Sequence, residues 1–466
     1  MTALQVFNVI DHGAKANASH DDGPAINAAI RAASNAGGGR VVVPAGEYCC
    51  GPIALLSRVE LHLETGALLR FSRSFDDFPL KIADYEGQPA PRCTSPIEAD
   101  DQRDIAITGA GTIDGSGDAW RPVKRMKRTP QEWDNLLATG GVVEPSGEIW
   151  WPTEGAMHGA AVLRALQSRG DAVRLADFAP ARDFCRPVMV KLTRCRNVVL
   201  DGPTFRNSPA WNIHLLLCDH VVVRKVTVLN DWWAQNGDGI DVESCNDVFI
   251  EDSHVDVGDD ALCLKSGKDE AGRKRGVATQ RVTIERCTVR HGHGGVVIGS
   301  EMSGGVHDVR VRDCTFDGTD IGLRFKSTRG RGGVVERVDI ANVSMQNITT
   351  DAIGLNLFYA TKNTASEPVS ERTPIFRNLK FRNITCTSSG RPIELRGLPE
   401  MPVQDVTIEQ SKLVGKRAGV IVDARQVRLS DVRIQTEERP GLQVSSAQQV
   451  QMVNVEVTHL DEGELR

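Results

Sequence analysis

A short run of alternating apolar and polar residues recurs along the chain from residue 198 onward. Each copy places an apolar side chain at every second position, which is the period of a β-strand with one buried face. Most copies begin 21 to 29 residues after the previous one, and a strand returning at that interval predicts a stack of similar coils. The ten copies begin at Val198, Val221, Val248, Val282, Val309, Val338, Leu379, Val406, Val427 and Val450.

A second set of strands lies between these copies. Residues 239–244, 261–266, 295–300 and 322–327 align without gaps, and each has apolar residues at its second and fourth positions. Because side chains alternate between the faces of a strand, these positions stack inward, coil upon coil. We therefore predict an all-β fold, a single-stranded parallel β-helix. No 3.6-residue period accompanies the repeat, which excludes a helical solenoid.

Two segments depart from the repeat. Residues 21–39 have the pattern of an amphipathic helix, with Asp22 as N-cap and Gly37 as stop, and we expect this helix to cap the open first coil. Residues 116–187 form a long insertion with four tryptophans and a basic run. These are Trp120, Trp133, Trp150, Trp151, Lys124, Arg125, Lys127 and Arg128. We interpret residues 1–466 as one β-helix domain carrying this insertion.

Composition excludes several functional classes. The 466 residues carry a net charge of −6, which does not favour a nucleic acid as partner. No run approaches the roughly 20 apolar residues that span a bilayer, so we expect no membrane segment. The first residues lack the basic and apolar regions of a signal peptide. We expect a cytoplasmic location for the chain as it stands, and a periplasmic or secreted one if a leader was removed.

The 11 cysteines are scattered and show no metal-binding spacing. Many lie inside apolar strand patterns, where an unpaired cysteine behaves as a small core residue. We expect buried thiols, no structural metal and no cofactor.

Acidic residues stand immediately before the second set of strands. In the coil register Asp238 and Asp260 share one column, and Asp259 shares the neighbouring column with His293. Strands of adjacent coils lie about 4.8 Å apart, so these four side chains are expected to form one patch. Asp259 and Asp260 converge only if the backbone turns, which we attribute to glycines at 237, 239 and 258.

Three crowded carboxylates repel one another, which raises the pKa of at least one of them. A carboxyl that keeps its proton near neutrality can act as general acid on a glycosidic oxygen. The other two can hold a water molecule for attack on the opposite face of the sugar, as in an inverting mechanism.

Cations follow on the next aligned strand. Arg324 and Lys326 share its outward face while Phe325 points inward, and Lys265 lies in the same column as Lys326. Together they suit the carboxylate of an acidic sugar. A solvated Asp–Asp pair, or a Ca²⁺ site made by the clustered aspartates, is the simpler alternative. The matching phase of acids, histidine and cations on consecutive coils favours a catalytic site without metal.

The same residues resemble a known family. The sequences NGDG (236–239), GDD (258–260), GHG (292–294) and RFK (324–326) resemble the four signature motifs of the polygalacturonases, glycoside hydrolase family 28. Gly237 replaces the usual Thr, and Phe325 replaces the usual Ile. The resemblance implies a right-handed parallel β-helix that hydrolyses α-galacturonide linkages of pectin with inversion.

The resemblance also implies a role for each motif residue. Asp259 would be the general acid, and Asp238 and Asp260 would activate the water. His293 would sustain the protonation or geometry of the acid. The residues expected to bind substrate are Asn236, Lys265, Arg324, Lys326 and Tyr359, the last as a stacking tyrosine.

Residues 231–244 and 299–305 are similar to the bacterial exo-acting branch, in which extra loops close one end of the cleft. We expect an exopolygalacturonase that releases galacturonate from chain ends, with the Trp-rich insertion as the closing wall. Three alternatives stay open: a rhamnogalacturonan galacturonohydrolase, a Ca²⁺-dependent pectate lyase, and a non-catalytic carbohydrate-binding β-helix.

Overall fold

The structure, a computed structural model, describes residues 5–170 and 173–460. Its α-helices are α1 (Gly23–Asn35), α2 (Pro130–Ala138), α3 (Glu154–Gln167) and α4 (Asp269–Arg275). Short 3-10 helices span Val9–His12, Phe75–Asp77, Gly117–Ala119, Arg125–Lys127 and Leu175–Phe184.

Strands make up most of the described ordered structure. Up to the insertion and within it they are β1 (Val6–Asn8), β2 (Asn17–Asp21), β3 (Gly39–Val43), β4 (Gly46–Cys50), β5 (Ile53–Ala54), β6 (Val59–Leu63), β7 (Ala67–Phe71), β8 (Leu80–Tyr85), β9 (Gln88–Cys93), β10 (Ile97–Asp100), β11 (Arg103–Gly109), β12 (Thr112–Asp114), β13 (Val123–Lys124), β14 (Val142–Val143) and β15 (Ile149–Trp151). The middle coils contain β16 (Val190–Thr193), β17 (Arg196–Asp201), β18 (Thr204–Arg206), β19 (Ile213–Leu216), β20 (Asp219–Arg224), β21 (Thr227–Leu229), β22 (Ile240–Glu243), β23 (Asn246–Glu251), β24 (His254–Asp256), β25 (Asp260–Lys265), β26 (Thr279–Glu285), β27 (Thr288–Arg290) and β28 (Gly294–Gly299). The last coils contain β29 (Val306–Asp317), β30 (Leu323–Lys326), β31 (Val334–Gln346), β32 (Ile348–Asn356), β33 (Ile375–Cys386), β34 (Ser389–Arg396), β35 (Val403–Gly415), β36 (Gly419–Val422), β37 (Ala424–Thr436), β38 (Leu442–Ser445) and β39 (Gln448–His459).

Two parallel sheets run the length of the described chain. The long sheet contains 22 strands and the short sheet contains 12, and each coil contributes to both. The ten repeat copies all fall on the long sheet, and the four aligned hexapeptides form β22, β25, β28 and β30 of the short sheet. The predicted right-handed parallel β-helix is confirmed.

The inward columns of the short sheet follow the predicted register. Ile240 pairs with Leu262, and Val296 pairs with Leu323 in the coils that follow. The column containing Phe325 is buried in the same way, and both columns belong to one continuous apolar core. Because every coil adds the same inward positions, the core grows by repetition rather than by a central layer.

A left-handed residue marks one corner of each coil. The residue immediately before each of the ten repeat copies has a φ between 52° and 59°. Five of the ten are Asn or Asp, the non-glycine residues that tolerate this conformation best. They are Asn197, His220, Asp247, Arg281, Asp308, Arg337, Asn378, Asp405, Gln426 and Gln449.

Helix α1 covers the first coil, as predicted. Ile26 and Ile30 are fully buried in the main core, and the helix stops before Gly37, which has a φ of 95°. The prediction for Asp22 is wrong in detail. It occupies the N-cap position, but its carboxylate makes no capping bond and instead accepts the N–H groups of the preceding loop.

The long insertion lies between β12 and β16 and carries its own antiparallel strands, β13, β15 and β14. Most of its tryptophans are buried. Trp120 packs edge-on against Phe75 and Phe78, while Trp133 and Trp150 form a small core with Val123. These three rings hold the insertion together and onto the coils, and they do not form an open sugar-stacking surface.

All 11 cysteines lie within the described ranges, and none forms a disulfide; ten are buried and Cys49 is partly exposed. The expected buried thiols are confirmed. Among residues 5–170 and 173–460, no helix has the length and apolar character needed to cross a membrane.

Candidate active site

The residues expected to carry the chemistry stand at the start of neighbouring strands of the short sheet. Asp238 precedes β22, Asp260 begins β25, and His293 precedes β28. The N–H of Gly239 donates to the carbonyl of Asp260 at 2.9 Å, and the N–H of His293 donates to the carbonyl of Asp259 at 2.9 Å. The loops therefore stack in the same two columns that the sequence register predicts.

Asp259 and Asp260 are consecutive residues whose side chains reach the same place. Oδ1 of Asp259 turns back to accept the N–H of Asp260 at 3.0 Å. One oxygen of each carboxylate and one ring nitrogen of His293 all lie within 4.8 Å of one another. The expected convergence is present.

The reason expected for this turn is wrong. Gly237, Gly239 and Gly258 have no positive φ. Two of them are needed because another backbone comes close: a Cβ on Gly239 would lie 2.4 Å from the carbonyl oxygen of Ala261, and one on Gly258 would lie 2.6 Å from that of Asp231. Contacts this short exclude any side chain, so these glycines let adjacent coils approach.

His293 is paired with Asp259. Its Nδ1 lies 3.0 Å from Oδ1 of Asp259, and its Nε2 lies 3.9 Å from Oδ2 of Asp320 on the other side. The ring is about a third exposed. The imidazole therefore lies within hydrogen-bonding distance of the carboxylate of Asp259 at a solvent-accessible surface.

The two cations of the RFK motif both bind Asp260. Nζ of Lys326 lies 2.6 Å from Oδ2, and a terminal guanidinium nitrogen of Arg324 lies 3.2 Å from Oδ1. The same nitrogen of Arg324 donates to the carbonyl of His293 at 3.1 Å. Arg324 and Lys326 thus share a face as predicted, but part of their donor capacity is already used by the protein.

Lys265 lies in the column of Lys326, with Gly299 between them. Its ammonium does not stand free as a second substrate-binding cation. It lies 3.2 Å from Oδ2 of Asp238, 2.8 Å from Oδ1 of Asp241 and 3.7 Å from Oε2 of Glu301. Lys265 therefore neutralises carboxylates at the floor of the site.

The two remaining predicted residues are also present. The ring centroid of Tyr359 lies 5.1 Å from Nζ of Lys326 and 5.9 Å from the guanidinium carbon of Arg324. Oδ1 of Asn236 accepts a hydrogen bond from Arg186 at 2.7 Å. Both residues face the same cavity as the acids.

This cavity has a volume of about 390 Å³ and is strongly polar. Of the predicted residues it is lined by Asn236, Asp238, Asp259, Asp260, Lys265, His293, Lys326 and Tyr359. Arg324 does not line the cavity and reaches the site through its contact with Asp260. The lining residues that sequence reasoning missed include Glu86, Lys124, Trp211, Lys268, Glu301 and Arg331.

Only some of the missed residues had a signal in the sequence. Glu301 follows directly after the aligned segment 295–300, and Lys124 belongs to the basic run of the insertion. Glu86 lies between β8 and β9, outside any repeat. Its position depends on long-range folding.

The strands β8 and β9 pair as an antiparallel hairpin, residues 80–93, which we call the covering hairpin. The carbonyl of Asp84 accepts a hydrogen bond from Lys191 of β16, and the carboxylate of Asp84 forms an ion pair with Arg275 at 2.8 Å. The ring of Tyr85 stacks on Trp211 at 4.6 Å. The hairpin therefore packs over the outer face of the short sheet and bounds the cavity through Glu86, whereas the Trp-rich insertion, the expected closing wall, contributes Lys124.

Burial raises the pKa of two carboxyl groups of the site. It raises the pKa of Asp238 well above its usual value, against the effect of Lys265 and with help from Asp241, Asp259 and Asp260. It also raises the pKa of Asp241 to about 7, although Lys265 opposes the rise. The crowded site does contain a raised carboxyl, as expected, but desolvation is a larger cause than repulsion.

The other two carboxyl groups shift downward. Burial alone would raise the pKa of Asp259, but the hydrogen bond and charge of His293, with Lys326 and Lys265, outweigh it and hold the pKa well below its usual value. Burial is likewise outweighed at Asp260, whose pKa is lowered by Lys326 and Arg324. Asp259, the expected general acid, is thus an anion by itself. Its role as proton donor therefore depends on its neighbour His293.

Asp259, Asp260 and His293 are close enough to offer ligands to one metal ion. Both oxygens of Asp260, however, are already bound by Lys326 and Arg324. A divalent ion there would have to compete with two fixed cations, which disfavours the Ca²⁺ alternative.

The arrangement therefore combines a raised carboxyl, two carboxylates held as anions and a histidine in one cavity. Groups whose environments separate their proton affinities in this way can act as acid and base in the same reaction. The covering hairpin stands at one end of the cavity, and Tyr359 with Lys326 stands towards the later coils.

Comparison with known proteins agrees with this chemistry. Residues 181–430 match the family described as glycosyl hydrolases family 28. Residues 6–62 match a second description, rhamnogalacturonase A/epimerase, pectate lyase-like. A hyperthermoactive exopolygalacturonase from Thermotoga maritima superimposes with a TM-score of 0.78 at 28% identity, covering 92% of this chain and 91% of that one.

Two curated relatives are similar over most of this chain. An exo-poly-alpha-D-galacturonosidase of Dickeya chrysanthemi is 29% identical over 407 residues, 84% of this chain and 64% of that protein. A protein of Vitis vinifera named "Probable polygalacturonase" is 27% identical over 383 residues, 80% of this chain and 66% of that protein. The chain thus spans just under two thirds of the length of these relatives.

Proposed function

Because this chain belongs to glycosyl hydrolases family 28, we propose that it is an exo-acting polygalacturonase that hydrolyses α-galacturonide linkages of pectin. The observation that carries this proposal is the convergence of Asp238, Asp259 and Asp260 in one cavity that the covering hairpin bounds on one side. The substrate is a pectic oligo- or polysaccharide containing galacturonate.

The proton for the leaving oxygen comes from the Asp259–His293 pair. The two groups lie 3.0 Å apart, so a proton held between them can reach Asp259 even though the pKa of Asp259 lies well below its usual value. The carboxylate of an entering galacturonate adds a negative charge to the cavity, which favours protonation of Asp259. Asp259 then donates to the glycosidic oxygen, and His293 keeps the donor supplied and oriented.

Asp260, held as an anion, and Asp238, once the pH exceeds its raised pKa, hold the water that attacks the opposite face of the sugar. They stand in one column on adjacent coils, so both carboxyl groups can contact one water molecule. Lys326 and Arg324 keep Asp260 ionised. Single displacement by this water gives a product of inverted anomeric configuration.

Substrate specificity comes from the cations and the tyrosine of the later coils. Lys326 and Arg324 retain N–H donors beyond those bound to Asp260, and these donors attract a uronate carboxylate. Tyr359 packs beside both cations and offers a ring face to the sugar. Asn236 supplies an amide on the other side of the cavity.

Exo action follows from the covering hairpin. It is anchored on β16 through Lys191 and on Trp211 through Tyr85, so a polysaccharide cannot run along the short sheet past this point. Only a chain end fits into a cleft that is closed on one side. The long insertion contributes Lys124 to the wall.

Product analysis on homogalacturonan and on rhamnogalacturonan oligosaccharides tests the proposal, with the anomeric configuration followed by NMR. We expect galacturonate as the early product from homogalacturonan, with inverted configuration and a slow loss of viscosity. Rapid viscosity loss with little monomer would contradict exo action. Activity on rhamnogalacturonan alone would move the assignment to a galacturonohydrolase of that polymer.

The same experiment separates the two remaining alternatives. A lyase forms unsaturated products that absorb in the ultraviolet and loses activity with a chelator, whereas we expect neither. A binding protein without catalysis leaves both polymers intact.

A further inference from the structure

One buried ammonium serves three carboxyl groups at the floor of the cavity. Lys265 is 4% exposed, and its Nζ contacts Asp238, Asp241 and Glu301 at 3.2, 2.8 and 3.7 Å. The ring of Trp211 covers the same nitrogen at 3.5 Å. One positive charge in an enclosed place cannot stabilise three negative charges equally, so these carboxyl groups compete for it.

Asp241 is the strongest competitor. It points outward from β22 three residues after Asp238, and its side chain is completely buried. Oδ2 of Asp241 has no hydrogen-bond partner among the described residues, and the closest cation to its carboxylate is Lys265. Nothing in the proposed reaction requires a carboxyl group at this position, which lies beneath the water-holding pair.

We propose that Lys265 and Asp241 are positioning residues that together set the ionisation of Asp238: Lys265 favours the ionised form of Asp238, and Asp241 opposes it by drawing the same ammonium away. This inference rests on the proposed function, in which Asp238 acts on the water as an anion. Lys265 and Asp241, at the floor of the cavity, then determine the pH at which hydrolysis begins.

The surroundings of Asp238 support this assignment. Burial raises the pKa of Asp238, and Lys265 is the largest opposing influence, ahead of the contributions of Asp241, Asp259 and Asp260. The pKa of Lys265 is raised well above its usual value: burial lowers it, but Asp241 and Asp238 outweigh the burial.

Other charged groups face this cluster from every side, and none replaces Lys265. The covering hairpin brings Glu86 and the phenol of Tyr85, and the loop before β16 brings Arg186. His214 lies next to Asp241 on β19, and Lys191 precedes it on β16. His214 is bound to Glu243, and Lys191 to the covering hairpin, so neither compensates Asp238.

The test is the pH dependence of kcat/KM for two variants with opposite expectations. In Asp241→Asn the ammonium serves only Asp238 and the more distant Glu301, so the acid limb moves to lower pH by about 1 unit. In Lys265→Met the charge on Asp238 loses its counter-ion, so the acid limb moves to higher pH by at least as much and kcat falls at low pH. Displacements of the acid limb in opposite directions in the two variants are expected if Asp238 and Asp241 compete for one ammonium.

A merely structural role gives a different result. Both variants would then lower activity or thermal stability while the acid limb stayed in place, and that result would overturn the inference. A displacement of both limbs in the same direction would overturn it as well. If Lys265→Met does not fold, Asp241→Asn decides alone, since a movement to lower pH requires that Asp241 oppose ionisation of Asp238.

Asp351→Asn is the matched control. Asp351 is a similarly buried carboxyl on β32 whose pKa burial raises to about 6, and it does not line the cavity. We expect the acid limb of kcat/KM for Asp351→Asn to coincide with that of the parent protein. The outcome is also separable from the proposed function: if the parent protein does not hydrolyse galacturonan, the function fails, whereas hydrolysis with an unmoved limb removes only the inference.

Discussion

Nδ1 of His293 lies 3.0 Å from Oδ1 of Asp259, and the pair faces the cavity that contains the other two aspartates. A second pair of the same composition, Asp256 and His291, has its contact at 2.8 Å but lies outside this cavity. The two pairs share their chemistry and differ in their surroundings. This difference allows catalysis to be tested against a matched background.

Asp259→Asn removes the proposed proton donor while preserving the size of the side chain. We expect kcat on galacturonan oligosaccharides to fall by about 10²–10⁴-fold, the usual contribution of general acid catalysis, with little change in KM. Asp256→Asn makes the same chemical change in the second pair and should leave kcat unchanged. Equal losses in both variants would contradict the assignment of Asp259.

Lys124 is the part of the basic run that reaches the cavity, and among the described residues it has no ion-pair partner. We expect it to bind a carboxylate of the substrate on the side opposite Tyr359. Lys124→Ala should raise KM by about 10- to 150-fold, since a charge-assisted hydrogen bond contributes about 1.5–3 kcal/mol, and should change kcat little. Arg125→Ala removes a neighbouring exposed charge outside the cavity and serves as control. An unchanged KM in Lys124→Ala would exclude this contact.

The covering hairpin should decide the mode of attack. Replacement of residues 82–91 by a short Gly-Ser turn removes the Tyr85–Trp211 stack and opens the sheet towards the earlier coils. We expect oligomeric early products and a faster loss of viscosity per bond cleaved. Thermal unfolding checks that the coils remain folded. Continued release of galacturonate alone from a folded variant would show that the closure lies elsewhere, for which the insertion is the next candidate.

Glu243 anchors the floor of the short sheet beneath the covering hairpin. It is fully buried and binds Nε2 of His214 at 2.9 Å and Arg275 at 2.7 Å. Burial alone would raise its pKa, but these hydrogen bonds and the charge of Arg275 outweigh it and hold the pKa at about 2. Burial lowers the pKa of His214 to about 4, so at neutral pH His214 donates as a neutral ring and Arg275 supplies the charge.

Glu243→Gln should therefore destabilise the protein by about 3–5 kcal/mol at neutral pH, because Arg275 loses its buried partner. The folded pKa lies below the unfolded value of about 4.3, so this stabilisation is present above that pH and is lost as the pH falls towards 2. Denaturant unfolding at pH 7 and pH 3 should show the difference between parent and variant shrinking at the lower pH. Glu270→Gln, in an exposed pair with Lys274, is the control and should have no measurable effect. A difference that does not depend on pH would contradict the ionic role of Glu243.

The β-helix and the columns of the site could be inferred from the residues alone. Period-2 alternation and a coil-length repeat are local and recurrent, and the columns of Asp238 with Asp260 and of Asp259 with His293 follow from that register. The family motifs lie on the same strands, so the fold and the motifs support each other. Tyr359, a weak motif match, lines the same cavity.

Other features depend on contacts between segments that share no period. Residues 80–93 and Trp211 meet across more than a hundred positions, and no repeat predicts that the hairpin packs over the sheet. The tryptophans of the insertion suggested a wall, but burial in their own small core leaves Lys124 as the residue that reaches the cavity.

Proton affinity is likewise a property of the folded surroundings. The amino-acid sequence establishes that three carboxyl groups come together, because a strand register requires it. Which of them keeps a proton depends on desolvation and on the ammonium and imidazole groups around each one. The three-dimensional fold places Asp238 over the shared charge of Lys265, Asp259 against His293 and Asp260 between two cations, and these neighbours distinguish three identical side chains.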